Sequence, residues 1–142
     1  MVLLDVNVLV ALLDANHIHH SAAALWFSAN RAAGWATCPI TENGVLRTLS
    51  RPGYSDIYRD FSDLRDVLVE LCSDGYHTFW HDAVTLRDDR LPLTGVTSRN
   101  STDIYLLALA VSNRGSLATF DQRIPAAALG GAGVEALKLI PT

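Results

Sequence analysis

The sequence contains little lysine, little cysteine and no long apolar run. Of the 11 basic residues in the 142-residue chain only Lys138 is a lysine, so ten are arginines. The two cysteines, Cys38 and Cys72, are far apart and lie in apolar segments, which is typical of buried free thiols in a reducing compartment and argues against a disulfide framework. No apolar stretch is long enough to cross a bilayer, so we expect no membrane association.

The apolar N-terminus, MVLLDVNVLVALL, lacks the features of a signal peptide. No Lys or Arg precedes the apolar run, and Asp5 and Asn7 interrupt it. Hydrophobic residues make up 49% of the chain and charged residues 18%, which favours a folded chain over a disordered one. We therefore expect a single domain over residues 1–142 and a cytoplasmic location.

The net charge of −4 is unlike the basic balance of a general nucleic-acid binder. Arginine, however, binds phosphate through planar, bidentate hydrogen bonds. A negatively charged chain can still bind nucleic acid locally if metal ions supply positive charge at the site. The composition therefore leaves metal-assisted binding open.

Strand-like and helix-like segments alternate along the chain. The predicted strands cover residues 2–5, 35–38, 77–81, 116–120 and 136–140. The predicted helices cover residues 7–13, 17–33, 41–50, 56–73 and 103–113. The clearest helical pattern is an apolar stripe at steps of three and four residues, formed by Ile57, Phe61, Leu64, Leu68 and Leu71.

This alternation predicts an α/β fold with a parallel sheet of four to five strands and helices on both faces. Ligands of such sheets bind beyond the carboxyl ends of the strands, so polar residues at those ends are the first candidates for a site. The glycines at 130, 131 and 133 have no long helix after them. They predict a turn before the last strand rather than a dinucleotide-binding loop.

Four acidic residues are predicted to meet at this edge. Asp5 closes the first strand, Asp121 follows the fourth, and Glu42 and Asp103 lie near the starts of two helices. Asp103 and Glu42 alone could serve helix N-termini, which carboxylates favour, and Asp121 could start a turn, whereas Asp5 interrupts a buried apolar run. Together they would repel one another and resist ionisation, and a divalent cation would relieve that repulsion. Mg²⁺ shared between carboxylates and a substrate phosphate can activate water for phosphodiester hydrolysis.

Four segments resemble a known family: DVNVLVALLD, TEN around Glu42, STDIYLLALA and LATFD. Together they are similar to the PIN-domain toxins of VapBC toxin–antitoxin modules. The similarity covers nearly the whole chain and matches the order and spacing of all four acids. One departure is Val6, where the family commonly has Thr or Ser. We expect that departure to matter little, because position 6 should point away from the acids if it continues the strand.

The resemblance implies a Rossmann-like PIN domain and a Mg²⁺- or Mn²⁺-dependent endoribonuclease acting on structured RNA such as tRNA or rRNA. The four acids would form the metal site and act in catalysis, with Asp5 and Asp103 most directly on the metal. Asn7 and Thr119 would be supporting polar residues. The resemblance further implies a homodimer, and a cognate antitoxin protein that can insert a basic side chain into the acidic site.

Four arginines lie near the acidic motifs in sequence: Arg47, Arg51, Arg87 and Arg99. Contacts with RNA phosphates and ordinary solvated surface charge explain them equally well. The tryptophans at 26, 35 and 80 lie in apolar runs, which indicates core packing or a dimer face rather than base stacking.

The histidines have ordinary structural explanations. His17, His19 and His20 fit no zinc pattern and have no nearby cysteine, so we interpret them as a polar helix start. His77 and His81 are predicted to be partly buried on one face of a strand.

Two alternative functions remain open. A phosphatase of the haloacid dehalogenase type also begins with an Asp after its first strand, but it needs a second Asp two residues later and a downstream Lys. Here that second position is Asn7, and Lys138 lies too near the end. The other alternative is a non-catalytic dimeric module that acts with an antitoxin in operator binding.

Overall fold

The computed structural model describes residues 1–56 and 59–142 and contains a five-stranded, all-parallel sheet. The strands are β1 (Val2–Leu4), β2 (Trp35–Thr37), β3 (His77–Phe79), β4 (Ser116–Thr119) and β5 (Leu137–Leu139). Their order in the sheet is β3-β2-β1-β4-β5. The strand β1 pairs with β2 on one side and with β4 on the other, so the strand order reverses at β1. The predicted parallel α/β sheet is confirmed.

The described helices are α1 (Val6–Leu13), α2 (His20–Asn30), α3 (Pro39–Leu49), α4 (Phe61–Cys72), α5 (Ser101–Ser112) and α6 (Gly130–Ala136). Short 3₁₀ turns cover Arg31–Ala33 and Ala126–Leu129. None of these helices combines the length and apolarity required to cross a membrane.

Two apolar cores cover the two faces of the sheet. Alternate residues of a strand point to opposite faces, so Leu3 and Leu117 pack with α5 while Leu4 and Ala118 pack with α1 and α4. Leu3, Leu4, Leu117 and Ala118 are fully buried, which explains why these consecutive residues of β1 and β4 are apolar without polar alternation.

Most predicted boundaries shift by one or two residues, and three of the differences move residues that the predictions named. The helix expected over 17–33 begins only at His20 and tightens into a 3₁₀ turn at Arg31. The helix expected from 56 begins at Phe61, and Ile57, which we placed on its apolar stripe, lies outside the described residues. The strand expected over 77–81 ends at Phe79, so His81 lies beyond it and is exposed, whereas His77 is partly buried as predicted.

The glycines before β5 form part of α6, so the prediction of a simple turn there is wrong. Gly133 is buried, and a Cβ at this position would collide with the Ala126 carbonyl and the Leu129 side chain. Close packing onto the preceding 3₁₀ turn overrides the low helix propensity of glycine.

The tryptophans and cysteines behave largely as expected. Trp35 and Trp80 are buried in the core, and Trp26 is partly buried at its edge. Cys38 is a buried free thiol, and Cys72 is a free thiol that is only partly buried.

Gly115, just before β4, provides a test of this packing. A Cβ there would lie 2.7 Å from the Met1 carbonyl oxygen and 2.8 Å from a ring carbon of Trp80, and the backbone oxygen cannot move without disturbing the pairing of β1 with β4. We expect Gly115→Ala to lower the free energy of unfolding by about 1–3 kcal/mol, measured by urea denaturation. Gly75→Ala is the matched control, because nothing lies within 4 Å of its Cβ position. Equal stability of the two variants would contradict the packing described.

Candidate metal centre

Asp5 is the central residue of the site at the carboxyl edge of the sheet. It follows β1 and caps α1, where its Oδ1 accepts a hydrogen bond of 2.7 Å from the Val6 backbone N–H. Its backbone N–H donates to the Ala118 carbonyl, which continues the pairing of β1 with β4. Asp5 is only 5% exposed, and burial raises the pKa of its carboxyl although the hydrogen bonds from Thr119 and Val6 oppose the shift.

Thr119 and Asn7 join Asp5 to the segment after β4. The buried Thr119 hydroxyl donates to Asp5 Oδ2 at 2.6 Å and accepts from the Asp121 backbone N–H at 3.0 Å. Asn7 Nδ2 donates to Asp5 Oδ2 at 3.2 Å and to Thr119 Oγ1 at 3.0 Å. Asn7 Oδ1 accepts from the Phe120 backbone N–H. These bonds hold two separate chain segments in one arrangement around the Asp5 carboxylate.

Asp103 approaches Asp5 from the first turn of α5, and the two residues line the same cleft. Burial, and after it the negative charges of Asp5 and Asp121, together raise the pKa of Asp103 to about 6 against an opposing effect of Arg123. Asp103 is therefore close enough to both acids to be repelled by them.

Asp121 lies beyond β4 and makes the strongest charged contact at the site. Its Oδ1 accepts from the backbone N–H and the Nε of Arg123 at 2.8 and 3.1 Å, and its Oδ2 accepts from the same guanidinium at 3.4 Å. These contacts lower the pKa of Asp121. Because the Arg123 side chain is 88% exposed, it can leave at little cost.

The three aspartates fit a divalent cation. Their donors are carboxylate oxygens, which hard ions such as Mg²⁺ and Mn²⁺ prefer. Two of the three carboxyls have raised pKa values because of burial and mutual repulsion, an unfavourable state that a cation would remove. Asp5, Asp103 and Asp121 are therefore the residues that could hold such an ion.

The structure places Glu42 in different surroundings from the three aspartates. Its Oε1 accepts a 2.6 Å hydrogen bond from the buried Thr37 hydroxyl, and its carboxylate lies beside Cys72 and His77. The α3 residues that line the cleft with Asp5 and Asp103 are Pro39, Ile40, Asn43, Gly44 and Arg47. Since successive helical residues are about 100° apart, Glu42 points away from the face that carries Asn43 and Arg47. The prediction placed Glu42 at the site because it lies near a strand end in sequence, but that nearness does not define the rotation of α3 about its axis.

One of the four predicted arginines lines the cleft. Arg47 is exposed and lies beside Asp5 and Asp103. Arg51, Arg87 and Arg99 are exposed elsewhere, and Arg87 donates to the Thr85 hydroxyl. Their described contacts do not connect them to the three aspartates.

Val6 also lines the cleft, contrary to the expectation that it would point away from the acids. That expectation assumed strand alternation at position 6. The chain instead turns into α1 at this residue, and Asp5 is the helix cap.

Two residues near the acids were not identified from the sequence. Arg123 could have been suspected from its position two residues after Asp121. His17 lines the cleft with Asp5, Asn7 and Asp103, and no sequence spacing indicated this. The interpretation of the neighbouring histidines as a polar helix start fits the contacts: the His19 backbone N–H donates to His17 Nδ1, and the His20 ring contacts the Ala11 carbonyl.

The chain is similar to known proteins over most of its length. Residues 2–129 match the PIN domain family. The chain is 47% identical over 121 residues to Ribonuclease VapC38 of Mycobacterium tuberculosis, an alignment that covers 85% of each chain. It is 42% identical over 134 residues to Ribonuclease VapC44 of the same organism, covering 92% of each chain. It is also 43% identical over 121 residues to Ribonuclease VapC29, again of M. tuberculosis, covering 84% of this chain and 85% of that one. The chain therefore belongs to the VapC group of PIN-domain proteins.

Proposed function

We propose that the protein is a metal-dependent endoribonuclease and the toxin of a type II toxin–antitoxin module. The observation that carries this proposal is the convergence of Asp5, Asp103 and Asp121 on one edge of a PIN-domain sheet, in a chain closely similar to proteins named as ribonucleases. Mg²⁺ or Mn²⁺ is the proposed cofactor.

The aspartates would hold the ion and orient what binds to it. When bound, a divalent ion can generate hydroxide from water and stabilise the leaving oxygen of a phosphodiester. Asp5 would be the most fixed ligand, because Thr119, Asn7 and the Val6 N–H orient both of its oxygens. Asp103 and Asp121 reach the site from two further chain segments and complete the oxygen set.

The RNA backbone would lie along the cleft beside Arg47. Its guanidinium can neutralise a phosphate next to the metal, where the three aspartates would otherwise repel RNA. Arg51, Arg87 and Arg99 lie outside this contact set, so we assign the nearest phosphate to Arg47 alone. A structured RNA such as tRNA or rRNA is the proposed substrate class.

The proposed partners are a second copy of the chain and an antitoxin protein. The Arg123 contact with Asp121 supports one part of this proposal, because a guanidinium already pairs with one of the three aspartates. A basic side chain of an antitoxin would use the same electrostatic attraction to block the metal ligands.

The structure offers no support for the phosphatase alternative. That chemistry needs a general acid two residues after the first Asp. Here that residue is Asn7, whose amide donates to both Asp5 and Thr119. A non-catalytic operator-binding module would not need a buried carboxylate beside Asp103, and it predicts no loss of RNA cleavage when either acid is changed.

We expect Asp103→Asn to reduce RNA cleavage by at least about 100-fold, the typical effect of removing one preorganised charged group at a reacting centre. The same change removes repulsion within the acidic site, so the metal-free variant should be no less stable than the parent. Cleavage of a tRNA followed on gels, with thermal unfolding in chelator, measures both effects. Exposed Glu135 on α6 provides the control variant, Glu135→Gln. Parental cleavage by a folded Asp103→Asn protein would contradict the assignment.

Metal affinity should depend on pH through Asp103. Because its pKa is raised to about 6, it keeps a proton below that pH which the metal must displace. Calorimetric Mn²⁺ affinity should therefore fall as the pH is lowered from about 7 to about 5, by up to about tenfold per pH unit for one displaced proton. In the metal-free protein the stabilising effect of this proton is complete below the ordinary pKa of 3.8 and is lost as the pH rises through about 6. A pH-independent affinity would count against Asp103 as a ligand.

Salt dependence tests the phosphate contact of Arg47. In an Asp103→Asn background, which prevents cleavage, Arg47→Ala should reduce the slope of log affinity for tRNA against log salt concentration by about one. Arg31→Ala is the control, because Arg31 pairs with Asp74 away from the cleft. If both substitutions leave the slope unchanged, Arg47 does not contact RNA phosphate.

A further inference from the structure

A second group of metal-ligating side chains lies apart from the three aspartates. Glu42 of α3, Cys72 at the end of α4 and His77 at the start of β3 each offer one ligand atom, and these atoms lie within 4.8 Å of one another. All three residues are partly buried. The helices α3 and α4 and the strand β3 thus direct a carboxylate, a thiol and an imidazole to one point.

This donor set differs chemically from the catalytic one. A sulfur and a nitrogen favour Zn²⁺ and similar borderline-soft ions, whereas carboxylates alone favour Mg²⁺ or Mn²⁺. Zinc bonds of about 2.0–2.3 Å in a tetrahedron place the ligand atoms about 3.3–3.8 Å apart. The observed group is therefore wider than a closed site by about 1.5 Å at most, a distance that side-chain rotation can cover.

We propose that Glu42, Cys72 and His77 form a zinc-binding site, with water in the fourth position. The ion would join the edge strand β3 to α3 and α4. It would be independent of the catalytic ion, because Glu42 lies on a different face of α3 from the residues that line the cleft.

Thr37 holds two of the three ligands in position. Its hydroxyl donates to Glu42 Oε1 at 2.6 Å and contacts His77 Nε2 at 2.8 Å, and Thr37 itself is fully buried in β2. The His77 ring also packs against the Trp35 ring, with a centroid distance of 4.6 Å. Such supporting contacts orient metal ligands before an ion binds.

The geometry also explains why an acid lies on this face of α3 at all. Glu42 is one residue from Asn43, which lines the catalytic cleft, yet it faces a thiol and an imidazole. A carboxylate at this position supplies the negative charge that a Zn²⁺ site with one thiolate needs to become neutral.

Cobalt substitution provides the direct test. The full chain carrying Asp103→Asn, which disables the aspartate site, is titrated with Co²⁺ and then with Zn²⁺. We expect a saturable thiolate-to-cobalt charge-transfer band that Zn²⁺ abolishes. Cys72→Ser and His77→Gln should each weaken Zn²⁺ binding by more than about 100-fold, since even supporting contacts contribute 10- to 100-fold. Zn²⁺ should raise the Tm of the parent and of Cys38→Ala, whose thiol lies outside the group.

Three outcomes would overturn the proposal. The first is the absence of a charge-transfer band in the Asp103→Asn protein, which needs no further variant to interpret. The second is a band that persists in Cys72→Ser and disappears in Cys38→Ala. The third is unchanged Zn²⁺ affinity in both Cys72→Ser and His77→Gln, which would leave the group as a hydrogen-bonded network only.

Discussion

The parallel pairing of β1 with β4 is the constraint on which the site depends. It brings the carboxyl ends of the two strands together, so that the Thr119 hydroxyl can donate a hydrogen bond to Asp5, which is 114 residues away in sequence. Thr119 Oγ1 also accepts from the Asp121 backbone N–H two residues later, which ties the segment after β4 to the same hydroxyl. A slip of β4 by one residue would turn Leu117 out of its core and remove Thr119 from Asp5. Apolar packing and site geometry are thus fixed by one register.

The carboxyl groups that would bind the metal lower the stability of the metal-free protein. Asp5 is buried with a raised pKa, and Asp103 has its pKa raised to about 6 by burial and by its two acidic neighbours. An apolar replacement would avoid both penalties. Arg123 offsets part of the charge, but it does so from solvent, where a single ion pair contributes little. A cation that reaches the acidic site, such as a metal ion or a basic side chain of a partner, would therefore stabilise it.

The sequence predicted the sheet, its helices and the candidate edge because hydrophobic alternation and strand ends are local signals. It could not predict the rotation of α3. Glu42 and Asn43 are adjacent in sequence, and only the packing of Val45 and Leu46 into the core decides which of them faces the cleft. Arg123 and His17 were missed for a related reason, since loop conformation brings them to the acids. The α6 glycines were misread because contacts with Ala126 and Leu129 override local propensity.

The central claim is that Asp5, Asp103 and Asp121 share one divalent cation. Anomalous diffraction from crystals grown with Mn²⁺ tests it most directly. The account predicts a manganese peak bounded by oxygens of these three aspartates, with Glu42 still bonded to Thr37. The absence of a peak at these aspartates, or a peak there ligated by Glu42 in place of Asp103, would contradict it.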